Sequence, residues 1–345
     1  MRAFLTRGIL ALSLLWPGLS LAQTATETTT ATTTATTTET ATETAVAPAH
    51  TDVAVGAYIL RMSNVSPQSG SFDVDMWLWF RWQGDAIKPY ESFEIVNGVI
   101  SSRSEAQVQT DAGANYATVR VQATVFHDFD VRRFPLDNHI LPIEIEDGAA
   151  IDRDLSYTAD EGIALDPSVE VAGWNVAMNT PTVEVHKYAT NYGLREAGEA
   201  ASDYSRLTFY VGLDRTSWAP LFKSFWISAL SVLLGLLAFL IKADDLDARF
   251  GMGVGSIFAA SANTFVITGS LPPTTAVTLA EQINLIAVAI IFIAVFVSIW
   301  SLRLRYQDRE ADSLALDRRA MWVLGGIYIA LNVLVMAVDL NGIVG

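Results

Sequence analysis

The chain has 345 residues, 51% of them hydrophobic, no cysteine, and a formal net charge of −15. An acid excess of this size excludes the basic footprint that proteins use to hold nucleic acid. The lack of cysteine excludes disulfides and thiolate metal sites, so the fold rests on its core and on assembly.

Arg2 and Arg7 precede an apolar run from Gly8 to Leu15, and Ser20-Leu21-Ala22 follows as a cleavage-like site. Residues 1–22 therefore read as a secretory signal peptide. The run is shorter than the ~20 apolar residues a membrane span needs. Residues 23–49 are almost entirely Thr, Ala and Glu. They offer nothing to a core and read as a disordered leader.

Residues 50–215 read as an extracellular β-sandwich. In "SFDVDMWLWFRW", Phe72, Val74, Met76, Leu78 and Phe80 share one face, and Asp73, Asp75, Trp77, Trp79 and Arg81 share the other. That period of two marks a half-buried strand. Further short strands follow, punctuated by Gly, Asn, Asp and Pro, which predicts an antiparallel, immunoglobulin-like sandwich. Residues 51–217 hold 25 Asp and Glu against 12 Lys and Arg. This charge suits a soluble domain and attracts cations.

From residue 216 to 345 the alternation gives way to four apolar runs, near 218–241, 249–269, 281–302 and 320–340. Each approaches the length that crosses a bilayer. Lys242 lies between the first two runs and Arg249 at the start of the second, and Arg303, Arg305, Arg309, Arg318 and Arg319 lie between the last two; residues 269–282 have no Lys or Arg. The positive-inside rule then puts both chain termini outside the cytoplasm and the protein in the cell (inner) membrane, multi-pass.

Three stretches narrow the class. The first is "DVRRFPLDNHILPIEIED", with Phe134-Pro135-Leu136-Asp137 at its centre. An X-Pro bond has only a small trans preference, so Phe134-Pro135 suits a tight, even cis, turn. The second is "LDRTSW", where Arg215 closes the last strand before the first apolar run. The third is "DDLDARFGMGVGSIFAASANTFVITGSLPP", a span rich in small and polar residues that ends in Leu271-Pro272.

Together these stretches resemble the pentameric ligand-gated ion channels, the superfamily of Cys-loop receptors and their bacterial relatives. The resemblance runs from Val53 to Val338, and the bracketing cysteines are absent, as in bacterial members. It implies a homopentamer in membrane lipid, with a β-sandwich domain followed by a four-helix channel domain. It also implies that Phe134, Pro135, Asp137, Arg215, Leu271 and Pro272 couple the two domains, with Asp137 paired to Arg215. The further acid that the family often carries in the first hairpin loop is missing from residues 63–70.

Anchored on Leu271-Pro272, the family's pore stripe falls on Asp247, Gly251, Gly255, Phe258, Ala262, Phe265 and Gly269. Steps of three and four make that one helix face. Asp247 would then form an acidic ring selecting monovalent cations, and the Phe residues a hydrophobic gate. A second stripe, Ser256, Asn263, Thr264 and Thr268, is the alternative water-facing or interhelical face.

For the agonist, a small molecule or protons, the resemblance points to Trp77, Tyr157, Tyr192 and Tyr204; Trp77 and Trp82 match a family strand whose first Trp faces the site. Aromatic faces of this kind hold cations. The four His show no metal spacing, and no catalytic motif is present. No cofactor, metal or enzyme activity is expected. The other reading is a non-conducting, membrane-anchored binding module.

Overall fold

The computed structural model describes residues 50–190, 192, 202–216 and 219–341. The signal peptide and leader assignments lie outside the described residues.

The sheet domain opens with a long hairpin, β1 (Thr51–Ser66) and β2 (Ser71–Gln83). The alternation of β2 holds along its length. Phe72, Val74, Met76, Leu78 and Phe80 are at most 2% exposed, while the residues between them stay partly open. Burying one such side chain contributes about 1.5–3 kcal/mol, which fixes the strand's face and register.

A single helical turn, α1 (Pro89–Ser92), leads into β3 (Phe93–Ile95), β4 (Gly98–Arg103), β5 (Gln107–Asp111) and β6 (Ala114–Phe126). β7 (His139–Asp147), β8 (Leu155–Ala159), β9 (Ala164–Leu165), β10 (Trp174–Tyr188) and β11 (Ser202–Arg215) complete the domain.

One sheet runs β4-β6-β2-β1-β8, with β5 also on β6 and β9 also on β1; the other runs β10-β11-β7-β3. Both enclose one apolar core. The first sheet is not purely antiparallel as expected, because β8 and β9 pair with β1 in parallel. After β7 the chain crosses from the second sheet to the first, so it meets the open edge of β1 running in the same direction.

The core does not stop at the last strand. Ile267, Leu271 and Ala280, which belong to the helical part, pack into the same buried cluster.

Four helices follow: α2 (Ala219–Leu237), extended by a 3-10 turn at Ala238–Leu240, then α3 (Leu246–Gly269), α4 (Leu279–Arg305) and α5 (Glu310–Asn341). All four are long and apolar enough to cross a membrane, as in a multi-pass membrane protein. Asp245 caps α3, its carboxylate accepting from the Ala248 amide. Thr278 and Glu281 form a reciprocal capping box on α4.

Helices α3, α4 and α5 begin earlier than their apolar runs, because capping and charged turns add residues that hydropathy does not register. The effect is largest at α5, which starts at Glu310 against the expected 320. Its added turns bury Ser313 and Asp317 against neighbouring helices.

A polar hub ties three helices together in the apolar bundle. Asn284 of α4 accepts from Ser228 of α2 (2.8 Å) and Asn263 of α3 (3.0 Å). It donates to Thr264 Oγ1 (2.6 Å) and the Ala260 carbonyl (3.3 Å). Asn284→Leu removes all four bonds, at an expected cost of about 1–2 kcal/mol. Thermal unfolding in detergent should register a lower midpoint; an unchanged midpoint would mean that the hub contributes nothing.

Candidate functional site

The loop of residues 127–138 lies at the end of the sheet domain nearest the helices. Its Phe134-Pro135 bond is cis. Asp137 is 1% exposed, and Arg215 Nη2 donates to its Oδ1 at 3.1 Å. His139 Nε2 lies 2.7 Å from Oδ2. An ionised carboxylate only accepts, so His139 carries its proton on Nε2 in this contact.

Burial pushes the Asp137 carboxyl up, but the His139 hydrogen bond and the Arg215 charge outweigh it, and the net displacement is downward. The Arg215 guanidinium also stacks 3.8 Å from the Trp174 ring centroid and 5.8 Å from that of Phe134. Of these groups, Phe134, Pro135, Asp137 and Arg215 come together as expected. His139 and Trp174 were missed, although His139, the first residue of β7, is only two residues from Asp137.

The same loop grips the helices. The Arg132 carbonyl accepts from the Leu279 amide (2.9 Å), and the Phe134 carbonyl from the Ala280 amide (3.1 Å). These are first-turn amides of α4, which have no partner within their own helix. Leu271, at the end of α3, is 6% exposed and packed in the sheet-domain core, with Pro272 beside it half-buried. Arg133 donates to the Asp339 carbonyl at 3.2 Å, with its Nε 3.7 Å from the Asp339 carboxylate. One loop therefore touches β11, α4 and the end of α5.

Helix α3 divides its faces sharply. Asp247, Gly251, Gly255, Phe258, Ala262, Phe265 and Gly269 are all exposed. Phe258 is 75% and Phe265 78% exposed, values far outside the range of a packed aromatic. A side chain at Gly251 or Gly269 would meet nothing within 4 Å. Arg249, Gly253, Ser256, Ala260, Asn263 and Ile267 are buried on the opposite side.

The Ser/Asn/Thr stripe is split by this division. Ser256 and Asn263 turn into the chain's own bundle, while Thr264 and Thr268 lie at its edge and bond to carbonyls one turn back. A cleft of about 560 Å³, lined in part by Thr264, Phe265, Asn284 and Leu285, continues the uncovered side between α3 and α4.

In the sheet domain, Tyr192 and Tyr204 come together, ring centroids 6.5 Å apart, and both meet Tyr188 (6.0 and 5.6 Å). Tyr188 was missed; it stands on β10 opposite Ser202 of β11, where the pairing of the two strands brings it to the cluster. Beneath it lie charges. The Tyr188 hydroxyl donates to Glu146 (3.0 Å), and Arg206 bridges Glu146 (2.6 Å) and Glu144 (2.8 Å). Burial and the Glu146 contact push Tyr188 up to about 12. Glu94 is raised as well, by burial and by the charges of Glu146 and Asp147.

The other two expected residues lie elsewhere. Trp77 is half-buried on the outer face of β2, in the opposite sheet. Tyr157 is corrected outright: it is 1% exposed on β8, inside the sandwich, and cannot meet a ligand at the surface. The five-residue β8 that carries it is hidden in the sequence between acidic turns. Trp82 is likewise a core residue, at 5% exposure.

Compared with known proteins, the chain matches no family model and no curated protein.

Proposed function

We propose that the chain is a subunit of a homopentameric, ligand- or proton-gated channel for monovalent cations. The observation that carries this reading is the uncovered face of α3. A lone helix bundle in lipid gains nothing from a stripe that starts with an exposed acid and continues through exposed glycines. Five copies arranged about an axis turn that stripe toward water, with Asp247 at one mouth and Phe258 and Phe265 as hydrophobic constrictions. The junction at Asp137 and Arg215 then carries movement of the sheet domain to the α3–α4 connection, through Leu271, Pro272 and the first turn of α4.

The tyrosine cluster suits a small cationic agonist held by aromatic faces. The sheet domain and both termini lie outside the cytoplasm in this reading.

The test is planar bilayer recording from purified protein across a ligand and pH screen. Currents carried by Na⁺ or K⁺ are expected. Asp247→Ala should move the reversal potential in a potassium chloride gradient toward zero. Unchanged selectivity would eliminate the acid ring, and silence of the wild type under every condition would eliminate the channel.

A further inference from the structure

Arg249 stands two residues after Asp247, on the same turn of α3, with the opposite charge. Its charge at the helix end would offset the acid that the proposed channel uses to attract cations. The structure disposes of it. Arg249 is 3% exposed, where Asp247 is exposed. Its guanidinium reaches across to α5, where Nη2 lies 2.7 Å from Asp317 Oδ2, and it passes 5.6 Å from the Phe239 ring centroid. Asp317 is itself 3% exposed. Among the described residues it is the one acid that reaches this guanidinium.

An arginine taken out of water needs such a partner, since a lone buried charge is strongly unfavourable. Asp317 thus does two things at once. It makes burial of Arg249 tolerable, and it cancels a positive charge that would otherwise seek solvent beside Asp247. Lys and Arg side chains freed from a partner extend toward water, and in the channel reading the aqueous path at Asp247 is on the same turn of α3.

We propose that Asp317, on the fourth span and away from the uncovered face of α3, is a selectivity-positioning residue that holds Arg249 off the ion path and leaves Asp247 unopposed. This rests on the channel reading given above.

The inference makes an asymmetric prediction. Asp317→Asn releases Arg249, so cation preference falls. Arg249→Gln leaves no cation to release, so cation preference stays at the wild-type level. Arg249→Gln combined with Asp317→Asn recovers what Asp317→Asn loses. A merely structural pair would give equal losses from either single change, and no recovery.

The readout is the reversal potential of wild type and the three variants in the same salt gradient. The asymmetric pattern supports the inference. A selective wild type with an unchanged Asp317→Asn, or equal losses in both single variants, overturns it and leaves the channel reading standing. A wild type without current overturns both.

A second measurement does not depend on Asp317→Asn assembling. The chain has no native cysteine, so Asp247→Cys and Arg249→Cys each place a single thiol. A charged, water-soluble thiol reagent should label position 247 quickly and position 249 at least tenfold more slowly. Equal labelling rates overturn the inference.

Discussion

Asp137→Asn is expected to uncouple the two halves of the protein and to lower its stability by about 3 kcal/mol, the scale for breaking one side of a buried ion pair. Asparagine keeps the size of the side chain but not its charge, while Arg215 and His139 keep their positions around it. The sheet domain loses its anchor on β11 at the point where the same loop holds α4. Ligand binding to the tyrosine cluster should survive, because that cluster uses Glu146 and Arg206 on other parts of β7 and β11. Current should not follow binding. Binding measured by tryptophan fluorescence alongside bilayer recording separates the two effects. A variant that binds and gates normally would refute the junction's role.

The acid dependence follows from the direction of the Asp137 displacement. Its folded-state pKa lies below the ordinary carboxylate value. Its contribution is therefore fully present above the unfolded value of about 3.9, and is lost as pH falls through the lower folded value. Arg215→Gln removes one of the groups that lower it, so the acid limb of stability should move to higher pH. Thermal midpoints recorded from about pH 3 to 7 check this; superimposable limbs for wild type and Arg215→Gln would contradict it.

Phe265→Ala, and likewise Phe258→Ala, should produce a standing current without agonist. Each ring is at least three-quarters exposed in the single chain. Fivefold repetition would bring five of them together at one level, where an apolar constriction expels water and stops ions without a physical plug. Alanine removes the bulk and part of the barrier. Loss of only ~1.4 kcal/mol of barrier raises the current tenfold. Phe292→Ala is the control: this ring of α4 is 67% exposed but lies on another helix, and its loss should leave resting current unchanged. If both α3 variants stay as quiet as the control, the hydrophobic gate is wrong.

Much of this architecture was legible from periodicity. β2 alternates because one face meets a core and the other does not, and the apolar runs stand out because lipid tolerates little else. Helix ends were less visible. The first turns of α5 hold Glu310, Asp312, Asp317, Arg318 and Arg319, whose charges hide a helical pattern from any average of hydropathy.

The candidate site divides in the same way. Asp137 and Arg215 could be paired, and the α3 stripe placed, only through resemblance; steps of three and four make that stripe one helix face but do not say which face is left uncovered. Tyr157 was misplaced because β8 is too short to display its alternation amid neighbouring acids. Tyr188, Arg206 and Asp317 acquire meaning only through contacts across strands or helices, which local sequence does not encode.

The two amides of α4 that donate to Arg132 and Phe134 bear on how the protein is made. Their acceptors belong to a loop of the sheet domain, synthesised well before the helix. The donors open the third span, far later in the chain. Biogenesis thus has a built-in sequence: a finished sheet domain presents a ready socket, and the late-arriving helix end docks into it. A lesion that delays folding of the sheet domain would strand a span whose own residues are intact, and cellular quality control would meet it as a membrane-insertion defect.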